Sequence, residues 1–466
     1  MQDKPRKIND PLFGLIYPNE DEWEIIESPL FQRLKEIKQL ALTYYVYPTA
    51  THTRFSHSLG VFHITKKICK NLSKHNSDLF NRDSIMNLRM AALLHDIGHF
   101  PFSHALEYQR KKEDFDISKL PFFFQLKHEE LGSYIIKNSY LKDNLIDKGY
   151  DYKLICNLIE GNDAPNIIHN KLINWELDAD RLDYILRDSY FTGVAFGHIN
   201  YEYLINNYKP HNNSRIVIST KSLRDIEHFI TARFSLYDRV YIHKTISFFN
   251  FILSNVAYEL ITKEKFPSFR NETELNEILS NPDDSKNLYE LTDYALIDHL
   301  RKFYNYNRFM NYSPMIVKKL ETVLFREKHF QIENFQLYST MSPTKLSLFK
   351  GDIKNEIKEL IEEYRDEIFL DIPHNSFTKY IHPVIPSSNI VNDELKKARK
   401  EMEKSIWIQF KDEDPELFYQ SRKSYFKEMS QFGITKILVY LNRSNEKLPH
   451  KFQTIKSRIQ NRIDNI

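Results

Sequence analysis

A strongly apolar helical pattern ends in the stretch AALLHDIGH, residues 91–99, where an imidazole stands beside a carboxylate. The apolar spacing predicts a helix over 84–97 that stops at Gly98. One nitrogen and one oxygen donor together suit a divalent cation of borderline hardness. Such a cation can keep coordination positions open for water and for a phosphate oxygen. His95 and Asp96 are therefore the first two candidate metal ligands.

Two other segments supply further ligands, each beside an arginine. Residues 53–60 read TRFSHSLG, with His57 three residues after an arginine, and residues 178–184 read DADRLDY, with three carboxylates close to another arginine. Metal-activated water attacks phosphorus near neutral pH, while guanidinium groups neutralise phosphate charge with directional hydrogen bonds. The three segments together predict metal-dependent chemistry on a phosphate ester or anhydride.

Composition favours a globular protein without a dedicated nucleic-acid surface. The chain has 466 residues, 41% of them hydrophobic, and a net charge of only +2, whereas nucleic-acid binders are usually much more basic. Cys69 and Cys156 form no C-x-x-C pair, so a reducing cytoplasm is the expected location. The N-terminus lacks an export signal, and polar residues interrupt the apolar stretch 245–261, so no membrane span is expected.

The rest of the chain predicts a mainly α protein with a smaller α+β lobe at its C-terminus. Further helices are expected at 21–42, 56–72, 128–138, 153–160, 178–189, 222–262 and 286–328, and strands at 215–218, 367–372 and 436–441. Turn-rich segments divide the chain into a catalytic core over 1–265, a helical extension over 266–350 and the α+β lobe over 351–466.

The ordered set His57, His95-Asp96 and Asp180 resembles the H…HD…D metal signature of the HD-domain superfamily. The surrounding sequence resembles the dNTP triphosphohydrolase branch of this superfamily over about residues 7–262. The resemblance is strongest in segments 32–40, 54–60, 94–107 and 180–188. The resemblance implies an HD-domain helical core for residues 1–265. The bare HD dipeptide is a weak signal, whereas the ordered set followed by the GHFPFSH run is specific.

The resemblance implies one metal ion held by His57, His95, Asp96 and Asp180. The ion would be iron, manganese or zinc, with magnesium as a further candidate alongside the substrate phosphates, and its identity stays open. Because only Asp180 matches the signature in its segment, the neighbouring Asp178 and Asp183 are interpreted as structural.

The same resemblance assigns the groups around the scissile bond. Arg54 and His99 would hold the α-phosphate, and His104 would protonate the departing 5′-oxygen, with His128 and Glu107 supporting that side. The implied products are a deoxynucleoside and triphosphate.

The remainder of the substrate would be bound by two further groups of residues. By the resemblance, the β- and γ-phosphates would be bound by Arg181, Arg233, His243 and Lys244. The 3′-hydroxyl would contact Gln39 and Asp188. The 2′ face of the sugar would pack against Leu40, Tyr184 and Tyr241. Leaving a buried 2′-hydroxyl without a partner costs about 1–3 kcal/mol, so dNTPs are the expected substrates.

Some positions depart from the branch. Residues 41–42 read Ala-Leu where many relatives have Gly-Gly, which leaves base preference open and permits a second hypothesis, an HD phosphohydrolase for a ribonucleotide or signalling nucleotide. Glu27 and Lys35 replace residues that read a regulatory guanine, whereas Lys7 and Ile8 fit that pattern. A homo-oligomer, dimer or tetramer, with a regulatory nucleotide between subunits is thus a weaker expectation.

The basic C-terminus motivates a third hypothesis from another class. Residues 417–466 hold ten Lys or Arg against three Asp or Glu, as a nucleic-acid-binding or effector-gated module would, for instance in phage defence. The charges are evenly spread, so a solvated basic face is the preferred interpretation.

Overall fold

The prediction of a mainly α protein with a small α+β lobe is confirmed by the computed structural model. The structure describes residues 6–106, 116–162, 164, 166–263, 266–310, 313–339, 343–365, 367–376, 405–411, 413–421, 423–426 and 433–465. Within these residues no helix is both long and apolar enough to cross a membrane.

The α-helices are numbered α1 to α18 in chain order. They are Glu20–Glu27, Pro29–Gln32, Arg54–Leu72, Arg82–Leu94, Phe122–Gln125, His128–Asn138, Leu141–Asp147, Tyr152–Glu160, Ile167–Lys171, Ala179–Thr192, Tyr201–Asn206, Leu223–Leu236, Lys244–Lys263, Glu272–Leu279, Asp293–Met310, Pro314–Phe325, Pro343–Glu363 and Lys447–Asp464. Tyr237–Tyr241 form a π turn, and short 3-10 segments lie at 33–36, 41–45, 103–106, 117–119, 195–197, 220–222, 284–291 and 418–420.

In the described parts of the chain, ten strands form three sheets. They are β1 Ile8–Asp10, β2 Gly14–Ile16, β3 Tyr208–His211, β4 Arg215–Ser219, β5 Phe330–Ser339, β6 Ile368–Asp371, β7 His374–Ser376, β8 Trp407–Gln409, β9 Glu416–Leu417 and β10 Gly433–Asn442. β1 and β2 form an antiparallel hairpin, β3-β4-β8-β9 form a second sheet, and β10 lies between β5 on one side and β6 and β7 on the other.

Polar side chains determine where the helices of the core begin. The Asn81 carboxamide accepts a hydrogen bond from the Ser84 amide at 2.9 Å and starts α4. Asp178 accepts from the Arg181 amide at 2.8 Å and starts α10. These caps satisfy amides that have no partner within the helix, so the helices that carry the HD dipeptide and Asp180 start at defined residues.

Three expected helices are shorter or interrupted. The helix expected over 21–42 ends at Glu27, because Ser28 caps a new turn that begins with Pro29, and the helix expected over 84–97 ends at Leu94. The helix expected over 286–328 is a 3-10 segment followed by α15 and α16.

The helix expected over 222–262 is broken in the middle. α12 ends at Leu236, the π turn follows, and α13 begins only at Lys244. The buried ammonium of Lys436, on β10, donates to the carbonyls of Asp238 at 2.9 Å and Ile242 at 3.2 Å. A distant cation thus binds carbonyl groups that a continuous helix would use internally.

Strands near the C-terminus pair with strands from earlier in the chain, while the domain bounds themselves stay a prediction. Residue 350 falls inside α17, and β5, which precedes it, pairs with β10 along ten residues. β8 pairs in parallel with β4, so residues beyond 400 also extend a sheet of the helical core. The sequence patterns did not predict β5 or β8, because the strands with which they pair lie far away in the sequence.

Candidate active site

The four expected metal ligands converge from three helices. His57 lies on α3, His95 and Asp96 follow α4, and Asp180 lies in the first turn of α10. His57 Nε2 is 3.0 Å from Asp180 Oδ1 and 3.7 Å from Asp96 Oδ2. His95 Nε2 is 3.4 Å from Asp96 Oδ1 and 3.9 Å from Asp180 Oδ1. Two imidazole nitrogens and two carboxylates thus face one small volume, and these four candidate ligands are called the metal-ligand cluster below.

The donor set fits a divalent cation. His57 Nε2 and His95 Nε2 are both buried and accept or donate no hydrogen bond within the described residues. Buried polar atoms normally have a partner, and a pair of imidazole nitrogens beside two carboxylates is a set that divalent transition metals bind. Burial alone would lower the pKa of His57, but hydrogen bonds to the carboxylates of Asp180 and Asp183 raise it to about 10.

Arg33 supports the turn that carries the HD dipeptide. Its fully buried guanidinium donates to the carbonyls of Ile97 at 2.7 Å, His99 at 3.0 Å and Leu291 at 2.8 Å. Burial lowers the pKa of Arg33 to about 10. The sequence offered no sign of this role, because Leu291 is distant and Arg33 looks like any helix-surface cation.

Gly98 allows α6 to pack directly on the HD turn. A Cβ at Gly98 would lie 2.2 Å from the carbonyl oxygen of His128 and 2.3 Å from the amide nitrogen of Gly132. Both atoms belong to backbone, so neither can rotate away. Gly98 is therefore required where the backbone of α6 approaches most closely.

We expect Gly98→Ala to lower the free energy of unfolding by about 1–3 kcal/mol, because the methyl group must push α6 away from the HD turn. A urea titration followed by circular dichroism measures the change. Gly351→Ala is the matched control, since its Cβ meets nothing within 4 Å in α17, and it should be neutral or stabilise by up to about 1 kcal/mol. Equal effects of the two variants would contradict the packing argument.

Three imidazoles lie beside the metal-ligand cluster. The rings of His99 and His128 stack with centroids 4.1 Å apart, and His104 lies 5.2 Å from His99 and 5.3 Å from His128. His104 is exposed, whereas His99 is buried and its Nε2 lies 3.2 Å from an oxygen of Asp96. Burial and the nearby Arg54 lower the pKa of His99 well below its usual value. Glu107 lies outside the described residues.

Arg54 connects the metal-ligand cluster to the imidazoles. Its buried guanidinium donates to Asp96 Oδ2 at 2.8 Å and to the Ser103 hydroxyl at 2.9 Å. Phe102 and Ser103 both have positive φ, at 55° and 50°, a conformation that non-glycine residues rarely adopt. Asp293, at the start of α15, accepts from the Phe102 amide at 2.6 Å and stabilises this turn. Sequence patterns did not single out Asp293.

Two of the four expected phosphate-binding residues lie close together. Arg181 and Arg233 both approach Glu176, whose Oε2 is 3.9 Å from Arg181 Nε and 2.5 Å from Arg233 Nη1. Glu176 was not expected from the sequence. His243 and Lys244 lie at the junction between the π turn and α13, where His243 is 6.3 Å from the Tyr47 ring and Lys244 is exposed.

The expected sugar contacts surround Asp188. Its carboxylate is bound by His52 Nε2 at 2.8 Å and by the Tyr241 hydroxyl, and the Tyr184 ring lies 6.4 Å from Tyr241. The amide nitrogen of Gln39 donates to the carbonyl of His52 at 3.0 Å, and its buried side-chain oxygen has no hydrogen-bond partner among the described residues. His52 was not expected from the sequence. Leu40, next along the chain, is partly buried against the core.

The loop after Leu40 adopts a glycine-like backbone. Ala41 has a φ of 47°, so this residue takes up the left-handed conformation despite its Cβ. The backbone of this loop therefore has the conformation that glycine favours, even though alanine stands at position 41.

A cavity of about 470 Å³ lies near the N-terminus, where the regulatory positions were expected. Its lining residues are Ile8, Trp23, Ile26, Glu27, Gln32, Lys35 and Phe55. Arg6 contacts Glu27 and lies 4.3 Å from the Trp23 ring, while Lys35 lies 4.7 Å from the Phe55 ring. The cavity thus combines aromatic surfaces with charges of both signs.

Comparison with known proteins points to one family. The family model described as HD domain matches residues 54–187. An uncharacterized protein of Methanocaldococcus jannaschii is 32% identical over 372 residues, which cover 78% of this chain and 68% of that protein. A crystal structure of a phosphohydrolase from Bacteroides thetaiotaomicron superposes with a TM-score of 0.68 at 26% identity, covering 94% of this chain and 100% of that one.

A relative with a named activity is more distant. The deoxynucleoside triphosphate triphosphohydrolase SAMHD1 homolog of Dictyostelium discoideum is 28% identical over 54% of this chain and 49% of its own length. An uncharacterized protein of Mycoplasma genitalium is 36% identical over 50% of this chain and 55% of its own length. The chain therefore spans about half the length of these two relatives, against about two thirds of the archaeal one.

Proposed function

Because the chain belongs to the HD-domain phosphohydrolase superfamily, we propose that it is a metal-dependent hydrolase that converts dNTPs to deoxynucleosides and triphosphate. The observation that carries the proposal is the convergence of His57, His95, Asp96 and Asp180 beside Arg54 and three imidazoles. The named activity of the SAMHD1 relatives gives the proposal its substrate class.

The residues divide the chemistry of phosphate-ester cleavage between them. A divalent ion held by the four ligands would supply Lewis acidity toward water and phosphate. Arg54 would exchange part of its contact with Asp96 for an α-phosphate oxygen, and His99 would donate to the same phosphate. His104, exposed beside His99 and His128, would deliver the proton that the departing 5′-oxygen needs.

The phosphate tail and sugar would extend away from this centre in two directions. Arg181, paired with Asp178, and Arg233, paired with Glu176, would bind the β- and γ-phosphates, with His243 and Lys244 as the more distant cations. Asp188 would accept the 3′-hydroxyl hydrogen bond, since His52 and Tyr241 already orient its carboxylate.

The alternative functions are less well supported. The glycine-like φ of Ala41 weakens the argument for a reshaped sugar loop, which was the reason to consider another nucleotide. The basic C-terminal helix α18 is largely neutralised by acidic partners, in the ion pairs Lys451–Glu363, Lys456–Glu333, Arg458–Glu356 and Arg462–Glu356. This pairing favours a structural face over a nucleic-acid surface.

We include a homo-oligomer with a regulatory nucleotide in the proposal. The cavity beside Ile8, Glu27 and Lys35 supports a nucleotide at this position, because a base can stack on Trp23 or Phe55. Light scattering of the purified protein with and without added nucleotide measures the oligomeric state.

We expect wild-type protein with Mn²⁺ to convert each dNTP to deoxynucleoside and triphosphate, and to act on NTPs about 10–100-fold less efficiently, because the 2′-hydroxyl finds no partner. Anion-exchange and reverse-phase chromatography of the products measure both. Preferential cleavage of NTPs would favour the second candidate function. Release of orthophosphate or diphosphate would contradict the assignment of attack at the α-phosphate.

We expect Asp188→Asn to lower kcat/KM for dATP by about 10–100-fold, since a hydrogen bond to a charged acceptor contributes about 1.5–3 kcal/mol. Activity toward 2′,3′-dideoxyATP, which lacks the 3′-hydroxyl, should change by less than about threefold. Asp143→Asn, at an exposed site on α7, is the control and should affect neither substrate. Equal losses on the two nucleotides would contradict a 3′-hydroxyl contact.

A further inference from the structure

A continuous series of buried charges connects the N-terminal hairpin β1–β2 to the metal-ligand cluster. Arg187 Nη1 donates to Asp10 Oδ2 at 2.9 Å. Arg187 Nε and Nη2 donate to the two oxygens of Asp183, each at 2.9 Å. Asp183 Oδ2 then lies 2.7 Å from His57 Nδ1. Asp183, Arg187 and His57 have no exposed surface, and Asp10 is 6% exposed.

The geometry of the series determines which nitrogen of His57 faces the metal site. Arg187 binds Asp183 with both arms of its guanidinium, so the carboxylate has one orientation. That carboxylate accepts a hydrogen bond from Nδ1 of His57, so Nε2 is the nitrogen that faces Asp96 and Asp180 and is placed to bind a metal ion. Asp183, which was interpreted as structural, therefore orients a metal ligand.

The series passes directly against the backbone of α3. A Cβ at Gly60 would lie 1.8 Å from Asp183 Oδ1 and 2.5 Å from Arg187 Nη2. Gly60 stands three residues after His57, so the helix that carries the ligand has no side chain at the point where the carboxylate and guanidinium meet. The space for the series is thus built into α3.

Asp10 connects the other end of the series to the hairpin turn. Its Oδ1 accepts from the amides of Leu12 at 2.9 Å and Phe13 at 3.1 Å, while Oδ2 binds Arg187. One carboxylate therefore holds the turn between β1 and β2 and neutralises Arg187. Removing this carboxylate would leave a buried guanidinium with Asp183 as its one remaining anionic partner among the residues that the structure describes.

We propose that Asp10 and Arg187 are positioning residues for His57, so that the N-terminal hairpin is part of the metal site and controls how tightly the metal ion is held. This inference rests on the metal-binding part of the proposed function. Because Ile8 on β1 also lines the cavity near the N-terminus, a ligand in that cavity would act on the same hairpin.

The test is a Mn²⁺ titration of the metal-free full-length chain by isothermal calorimetry. We expect Asp183→Asn to weaken Mn²⁺ binding by about 10–100-fold, as loss of such an outer partner does, and Asp10→Asn by about three- to tenfold. The matched control is Glu22→Gln, which removes a buried carboxylate whose described partners, Arg89 at 2.7 Å and the Asn19 amide at 2.7 Å, lie outside the series. It should leave Mn²⁺ affinity within about twofold.

Two outcomes would overturn the inference: wild-type Mn²⁺ affinity in Asp10→Asn, or equal weakening in Asp10→Asn and Glu22→Gln. Urea titrations of the three variants show whether a loss of affinity merely follows a loss of stability. If Asp183→Asn does not fold, Asp10→Asn against Glu22→Gln still decides. Unchanged Mn²⁺ affinity in His95→Ala/Asp96→Ala would instead show that the metal site itself, and with it the proposed function, is wrong.

Discussion

In the His95→Ala/Asp96→Ala variant we expect dNTP hydrolysis to fall by at least about 1000-fold, a loss of roughly 4 kcal/mol of transition-state stabilisation. The variant removes one nitrogen and one carboxylate donor from the cluster and leaves His57 and Asp180 alone to hold a cation. It also removes the anionic partner of Arg54, whose guanidinium binds Asp96 at 2.8 Å. Product chromatography measures the rate, and elemental analysis measures the bound metal.

The control for this variant is His169→Ala. His169 is also buried, and its Nε2 is 2.8 Å from the carbonyl of Leu79, away from the cluster. The control should retain bound metal and most of the activity. If the double variant lost its metal but hydrolysed dNTPs at the wild-type rate, the cluster would not be the catalytic centre.

For Arg33→Ala we expect the largest loss of stability, about 3–5 kcal/mol in the free energy of unfolding. The substitution leaves the buried carbonyls of Ile97, His99 and Leu291 without their donor, and each unsatisfied group costs about 1–3 kcal/mol. Urea titration followed by circular dichroism measures the change. Activity should fall as well, because His99 loses its support.

Lys35→Ala is the control for Arg33→Ala. Lys35 is two residues away and exposed, and its removal should change the free energy of unfolding by no more than about 0.5 kcal/mol. Arg33→Lys keeps the positive charge but loses the two-armed geometry of the guanidinium. Its loss of unfolding free energy should therefore lie between those of Lys35→Ala and Arg33→Ala. A wild-type unfolding midpoint in Arg33→Ala would show that water replaces the guanidinium at little cost.

Local patterns in the sequence were sufficient to predict the mainly α fold and many of its helices. The helix over His128–Asn138 has the predicted bounds, and the four expected metal ligands lie on α3, directly after α4 and on α10. Helix periodicity and capping residues act over a few positions, so they can be read from a single chain. The order of His57, His95-Asp96 and Asp180 likewise identified the family before any distance was known.

The tertiary structure alone decided which neighbouring groups orient the site. The family signature singled out Asp180 but gave Asp178 and Asp183 no separate roles. In the structure Asp178 caps α10, Asp180 faces His57 Nε2 and Asp183 binds His57 Nδ1. One helical turn separates the last two, and which side of an imidazole each carboxylate meets depends on how α10 packs on α3.

The same holds for contacts between distant segments. Arg33 meets Leu291, Phe102 meets Asp293, and Lys436 breaks the helix expected over 222–262, each across about 190 or more positions of sequence. The local sequence determined which residues could form helices and offer ligands. Only the packing of the whole chain decided which buried charges meet. A buried charge without a partner raises the free energy of the folded state, and the groups that can pair with it are those that the fold brings close in space.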